Sequence, residues 1–292
     1  MKRILILGSS GMLGHQVYNY LKKNSNFTLI NLANKNKFQD DTILVDVRDE
    51  ISLIRCIDKV KPNYIINCIG ALIRESNSNP KNAIYLNAYL PLMLAEYAHN
   101  TKAKLIHIST DCVFSGIKKN PYKENDEKDG KDFYALSKGL GEPNTKDNLI
   151  IRTSIVGPEL KKHGEGLFHW FMNQSGRING YTKSIWSGVT TIELAKAIHW
   201  SIEKEIAGVY HITNNDDISK YELLNLFKQY TKKKIEINPI DGIDSDKSLI
   251  DTRKLMNYDI PSYDQMISDM ISFIHSNPKI YPQYNLSILG EK

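Results

Sequence analysis

Between the apolar run Arg3 to Leu7 and a stretch of helical apolar spacing from Met12 to about Leu21 lies Gly8-Ser-Ser-Gly11-Met-Leu-Gly14. A short run of consecutive apolar residues reads as a central parallel strand buried on both faces. Glycines where such a strand passes into a helix permit a tight turn and bring backbone amides close to a pyrophosphate, whose charge the helix N-terminus favours. Gly8, Ser10, Gly11, Met12, Leu13 and Gly14 are therefore candidate contacts for a dinucleotide, and the chain opens as a βα unit built around one.

The following segments extend this pattern. Phe27 to Leu32 reads as a second strand, ending where an acidic residue usually holds the adenosine ribose. This chain offers Asn31, with Lys35 and Lys37 just beyond, which favours a 2′-phosphate and hence NADPH; NADH is the alternative. Ile43 to Asp49 reads as a strand whose end, Asp46 and Val47, can hold an adenine edge, and Glu50 to Val60 as a helix. The apolar strand Tyr64 to Cys68 runs into Ile69-Gly70-Ala71, so Cys68, Ile69 and Gly70 can pass close to a cofactor. A long helical stretch, Pro80 to His99, contains Asn87 and precedes the strand Leu105 to Ser109. Alternating strands and helices with short connections imply an α/β fold, a Rossmann-like doubly wound parallel sheet. Ligands bind such sheets at the carboxyl ends of strands, which is where Ser109-Thr110-Asp111 falls.

Phe133-Tyr-Ala-Leu-Ser-Lys138 is the candidate site of chemistry, because a helix places Tyr134 and Lys138 one turn apart on one face. An ammonium near a phenol favours the phenolate and lowers the tyrosine pKa, which suits proton exchange with an alcohol or sugar oxygen. The spacing alone is weak: Tyr18 with Lys22 and Tyr230 with Lys234 repeat it.

Gly8-x-x-Gly11-x-x-Gly14, Ser109-Thr110-Asp111-Cys-Val-Phe, Pro121-Tyr-Lys-Glu and Tyr134-x-x-x-Lys138, in this order, resemble the extended short-chain dehydrogenase/reductase superfamily. Within it they are most similar to dTDP-4-dehydrorhamnose reductases and related nucleotide-sugar 4-ketoreductases. The resemblance implies a triad of Thr110, Tyr134 and Lys138: Thr110 on the sugar O4, Tyr134 delivering a proton, Lys138 holding the nicotinamide ribose and depressing the tyrosine pKa. Asp111 and Cys112 would face the substrate. Cys112 stands where related 4,6-dehydratases carry a glutamate, which argues against dehydration, and where many rhamnose-type reductases carry an aromatic residue, which leaves the sugar open.

Leu149 to Ser154 reads as a further strand, after which Gly157-Pro158 marks a boundary. Gly164 to Tyr181, with His163, His169, Asn173 and Arg177, could line a sugar-nucleotide site; Asn173 and Trp186 are the pocket candidates, and the histidines lack metal-ligand spacing. Asn120 to Lys131 is a polar loop whose acidic residues are too irregularly spaced for a metal site. Helices are expected at Thr191 to Ile206, Tyr221 to Tyr230 and Tyr263 to His275, and a strand at Gly208 to Thr213 rejoining the first domain. The resulting division is 1–156 with about 186–214 as the NADP(H) domain, and about 157–185 with 215–292 as a smaller C-terminal substrate-binding lobe. Asp246-Lys-Ser248-Leu249 resembles a segment that carries an Arg-Pro pair in rhamnose-type reductases and faces the nucleotide there; the pair is missing.

Composition narrows the partners. Lysine plus arginine exceed aspartate plus glutamate only by 38 to 33, with no long basic run, which does not suggest nucleic-acid binding. Three cysteines without paired spacing and no apolar stretch of membrane-spanning length point to the cytoplasm. The expected activity is NADPH-dependent reduction of a nucleotide-linked 4-keto-6-deoxyhexose for surface polysaccharide precursors, in a chain that can pair as a homodimer. A UDP-2-acetamido-4-keto-6-deoxyhexose reductase and a nucleotide-sugar 4-epimerase are the alternatives among enzymes. A non-catalytic NADP(H)-binding sensor is the alternative outside them.

Overall fold

The computed structural model describes residues 1–118, 120–143, 146–253 and 258–284. Its main sheet contains β1 (Arg3–Leu7), β2 (Thr28–Ala33), β3 (Ile43–Leu44), β4 (Tyr64–Asn67), β5 (Lys104–Ile108), β6 (Leu149–Arg152) and an edge strand, Gly208–His211. From that edge the order is β6, β5, β4, β1, β2, β3, with every neighbour parallel. The chain thus reverses direction across the sheet between β1 and β4, the switch point where ligands of such folds bind.

Alternation along the strands builds two apolar layers. Ile4, Ile6, Ile66, Ile106 and Ile151 pack on one face with Val17, Leu21, Leu194 and Ile198. Leu5, Leu7, Ile65 and Leu105 pack on the other with Leu53, Ile57, Leu90 and Leu94. Register then aligns the carboxyl ends: Leu7 sits opposite both Leu32 and Asn67, Asn67 opposite His107, and Ile108 opposite Ile151. The turns after β1, β4 and β5 therefore emerge side by side.

Beyond the main sheet the chain builds two further short sheets from residues 176–246. Gly176–Tyr181 pairs with Ile235–Ile240, and Ile218–Ser219 and Ser245–Asp246 flank Ser184–Trp186. Helices Leu167–Met172, Lys220–Thr231 and Tyr263–Ser276 cover them, and Phe168, Phe171, Phe227 and Met266 continue the apolar cluster of the first sheet face. Of the expected lobe, residues 254–257 and 285–292 lie outside the described residues. No helix among the described residues is long and apolar enough to cross a membrane.

Two elements differ from the sequence reading. The third strand stops at Leu44 because the chain turns: Asp49 N–H donates to the Asp46 carbonyl at 2.9 Å and the Asp46 carboxylate turns back on Arg48. Pro80 to His99 is not one regular helix: a π-helical turn, Ile84–Tyr89, lies between Pro80–Ala83 and Leu90–Thr101. Such turns often mark functional sites, and this one contains Asn87.

Candidate active site

The glycine turn is held by backbone contacts. Gly8 adopts φ +80°, its N–H and that of Ser9 donate to the Leu32 carbonyl, and Gly11 N–H closes onto Gly8 O at 2.9 Å. A Cβ on Gly14 would lie 2.2 Å from Gly8 O, so the helix can start this close to the strand only with glycine there. The N–H groups of Ser10, Met12 and Leu13 have no hydrogen-bond acceptor among the described residues. Unpaired donors at a helix start are the donor set a pyrophosphate requires. Ile69 roofs the turn, its Cγ1 2.9 Å from a Cβ placed on Gly8.

The adenosine-side candidates are arranged differently from the sequence expectation. Asn31 is buried: it accepts from Ser9 Oγ at 3.1 Å and donates to Asp41 at 3.2 Å, so it ties loops together beneath the surface instead of facing a ribose. The end of β2 is Ala33, with Lys35 exposed beyond it. Asp46 is gripped by the Arg48 guanidinium, whose hydrogen bonds chiefly hold its carboxyl below the usual range, with Lys35 adding to the effect. Lys35 and Arg48 thus place positive charge around the end of β2. Val47 is buried and its carbonyl accepts from Tyr85 at 2.9 Å.

At the centre, Thr110 follows β5 and caps a single helical turn, Asp111–Val113, its Oγ1 accepting from Cys112 N–H at 3.1 Å and donating to Asp111 at 3.0 Å. The helix Phe133–Leu140, capped by Asp132, brings Tyr134 to the neighbourhood of the Thr110 side chain and drives Lys138 inward. Lys138 is buried and its Nζ donates to the Ile108 carbonyl at 2.7 Å. A Cβ on Gly70 would lie 3.8 Å from that Nζ, so the loop after β4 passes beside it. The fold therefore assembles Thr110, Tyr134, Lys138, Cys68 and Gly70 at one edge of the sheet.

The electrostatics depart from the expected lysine effect. Burial pushes the Tyr134 phenol above its ordinary value, Cys112 and Asp111 add to that, and the Thr110 hydrogen bond opposes it. Lys138 is itself lowered to about 8 by burial, against the attraction of Glu142 and Cys68. Desolvation dominates both groups, and the Lys138 ammonium is engaged by a carbonyl. Tyr134 consequently stays a protonated acid near neutrality. Burial, with Asp111 adding, also pushes the Cys112 thiol up to about 12, which makes it a small neutral wall and not a nucleophile.

Several supporting residues escaped the sequence reading. Asn87 holds Ala71 through both backbone groups, at 2.8 and 3.0 Å, and donates to Ser137 Oγ at 3.1 Å, fastening the loop after β4 to the Tyr134 helix. Glu142 and Arg152 form a buried two-pronged pair, at 2.8 and 2.7 Å, that also receives Ser109 Oγ at 2.6 Å and so fixes the residue before Thr110. Buried His107 takes a hydrogen bond on Nδ1 from Asn67, and burial with the Lys138 charge keeps it neutral. A lone polar residue inside an apolar run was the available signal for Asn87 and His107; nothing local pairs Glu142 with Arg152.

Two substrate candidates lie elsewhere. Trp186 is packed in the core, its Nε1 donating to Ser154 Oγ at 2.8 Å and its ring against Tyr263. Asn173 is exposed and its amide caps its own helix through the His169 carbonyl at 2.8 Å. Arg177 pairs with Glu236 on the surface. Conversely, the segment 245–250 lies against the loop that follows Thr110: Asp246 N–H donates to Gly116 O at 3.1 Å and Tyr122 N–H to Ser248 O at 2.8 Å.

A seven-stranded parallel sheet with a glycine turn after β1 and a Thr–Tyr–Lys cluster beyond β5 defines the short-chain dehydrogenase/reductase class. The RmlD substrate-binding-domain family matches residues 1–249, and the chain belongs to that family. A spore coat polysaccharide biosynthesis protein, SpsK, of Bacillus subtilis (strain 168) is 28% identical over 231 residues, 76% of this chain and 77% of its own. A dTDP-4-dehydrorhamnose reductase of Aggregatibacter actinomycetemcomitans is 27% identical over 248 residues, covering 80% and 81%. Methionine adenosyltransferase 2 subunit beta of Xenopus laevis is 27% identical over 236 residues, covering 76% and 70%. The fold is shared with dTDP-4-dehydrorhamnose reductase from Bacillus anthracis str. Ames, solved in complex with NADP: TM-score 0.78 at 22% identity, covering 94% of this chain and 99% of that one.

Proposed function

We propose that the chain reduces the C4 keto group of a nucleotide-linked 4-keto-6-deoxyhexose with NADPH, as a cytoplasmic step in making surface polysaccharide precursors. The observation that carries this reading is the Tyr134 phenol, kept protonated by burial beside Thr110 and set one helical turn from Lys138, whose Nζ the Ile108 carbonyl holds. The dTDP-4-dehydrorhamnose reductase and SpsK relatives support the substrate class.

The free amides of Ser10, Met12 and Leu13 fit a dinucleotide pyrophosphate, Gly70 leaves room beside Lys138 for a ribose, and Lys35 with Arg48 supplies charge for a 2′-phosphate. When bound, NADPH supplies the hydride. Thr110 and Tyr134 hold the sugar O4 between two hydroxyls, and as negative charge develops there the phenolic proton passes to it. Lys138, still cationic below about pH 8, lies one turn from the phenol, where positive charge steadies the phenolate left behind. No base is placed to extract a proton beside the ketone at position 112, since the thiol there stays neutral.

The test is NADPH oxidation against dTDP- and UDP-linked 4-keto-6-deoxysugars, with and without a 2-acetamido group. Tyr134→Phe is expected to lower turnover by about 10²- to 10⁴-fold with NADPH affinity little changed. Near-normal turnover in that variant removes Tyr134 from the acid role. The adenosyltransferase subunit among the relatives favours a second reading, a binding subunit without chemistry; NADPH binding without turnover on the whole panel selects it.

The occupant proposed for the outer face of the Tyr134 helix is a second copy of the chain. Leu136 and Leu140 are exposed there, and the stretch Ile84–Tyr89 that packs against this helix exposes Ile84 and Tyr89 as well. Light scattering is expected to give a dimer that Leu136→Glu with Leu140→Glu converts to monomer.

A further inference from the structure

Lys247 lies against the loop that follows Thr110, more than a hundred positions away in the chain. Its stem packs against Gly116, Cγ lying 3.0 Å from a Cβ placed there, and Gly116 belongs to the loop that carries Thr110, Asp111 and Cys112. Its charge acts on the Cys112 thiol, which in turn acts on the Tyr134 phenol. The side chain therefore lies beside the loop that carries Thr110, Asp111 and Cys112.

The backbone around Lys247 is pinned on both sides. Asp246 and Ser248 bond to Gly116 and Tyr122, Leu249 N–H donates to Ser187 Oγ at 2.6 Å, and Tyr122 and Leu249 form a parallel bridge. The Asp246 carboxylate is taken up by Ser248 N–H and Oγ, at 2.9 and 2.5 Å, leaving it turned onto its own loop. Among the described residues no carboxylate lies within salt-bridge distance of the Lys247 ammonium, while the side chain is only half-buried. A cation on a pinned loop, without a carboxylate partner among the described residues and set against the loop that carries Thr110, is placed to meet a ligand oxygen.

We propose that Lys247 is a specificity-determining residue that binds an acceptor oxygen on the hexose ring next to the reacting C4, and not the nucleotide diphosphate. This rests on the reductase reading above. Lys247 thereby selects sugars that carry a hydroxyl, carboxylate or amide oxygen at that place over those that lack one. Asp111 shares the Thr110 turn and orients that group by accepting from Thr110.

The experiment compares wild type, Lys247→Met and Lys247→Arg with NADP(H) present, measuring affinity for the stable sugars dTDP-glucose and UDP-N-acetylglucosamine and for free dTDP and UDP, then KM and kcat on whichever keto sugar turns over. The expected result is that Lys247→Met weakens the nucleotide sugar about 10- to 100-fold, the size of a lost charged hydrogen bond. KM rises in step, kcat changes by less than about threefold, the free nucleotides and NADPH bind as before, and Lys247→Arg recovers most of the loss. Equal weakening of free dTDP or UDP makes Lys247 a diphosphate ligand and overturns the proposal. So does an unchanged KM in an active enzyme, which leaves the reductase reading intact. A wild-type protein that binds none of these sugars and reduces none of the keto sugars overturns both.

Discussion

The glycine turn and the 245–250 segment both bring backbone to the edge of the same site, and they do it by opposite means. In the turn, the walls are main chain: a Cβ on Gly14 meets Gly8 O, Gly8 C and Ser9 Cα. In the segment, a Cβ on Gly116 meets mostly side chain, Ser245 Oγ at 2.8 Å and Lys247 Cγ at 3.0 Å. The first is a fixed cradle whose shape follows from neighbouring residues. The second is a join between distant parts of the chain, and its side chains can rotate. A cofactor common to a whole family suits the first, and a substrate that varies between relatives suits the second.

Substitution tests that contrast most strongly at Gly14. Gly14→Ala has no side chain to push aside, so a loss of about 3 kcal/mol in unfolding free energy is expected together with lost NADPH binding. Denaturant melts and a fluorescence titration read both. Stability within about 0.5 kcal/mol of wild type would mean that the cradle is as yielding as the join.

The next effect concerns the lysine between the two regions. Its folded value of about 8 lies below the ordinary 10.5, so the folded protein binds fewer protons between these values and this group's contribution to stability rises with pH across that window. Cofactor binding runs the other way, because the ammonium is the form that holds a ribose oxygen. NADPH Kd is expected to rise about three- to tenfold as pH climbs from 7 to 9.5, and Lys138→Met to bind weakly with a flat profile. A flat profile in the wild type would show that Lys138 keeps its charge throughout and that burial counts for less than its geometry implies.

Gly116→Ala gives the smallest change. Its φ of +79° makes alanine cost about 1–2 kcal/mol, while the neighbouring side chains rotate away. The sugar KM should rise, because Lys247 is displaced, with NADPH Kd unchanged. A rise in NADPH Kd instead would join the two regions into one unit and erase the distinction between them.

Much of this architecture was legible in the chain. Helix Glu50–Val60 agrees with its sequence bounds, and the strands of the main sheet other than β3 fall within a residue or two, because each combines a clear period with its own punctuation. Asp49 and Asp132 cap helices, a role the sequence reading did not assign them. The errors share a cause. Asn31 looked like a ribose contact because it lies near the expected strand end, but strand pairing carries β2 on to Ala33 and leaves Asn31 inside. Trp186 looked like a pocket wall because aromatics often are, yet its indole found Ser154 and Tyr263. Asn87 stood in plain sight, but its role depends on a π-helical turn and on Ser137, fifty positions away.

By itself the sequence determined the parallel sheet, the glycine turn at its switch point and the placement of Tyr134 one helical turn from Lys138, since each depends on residues within a few positions and on steric rules that hold in any chain. Only the tertiary structure decided the protonation of that pair, the Glu142–Arg152 anchor and the approach of Lys247 to Cys112. Those depend on burial and on distances between elements far apart in the chain, and a pKa or an ion pair is set by what surrounds a group in space, which linear order does not specify.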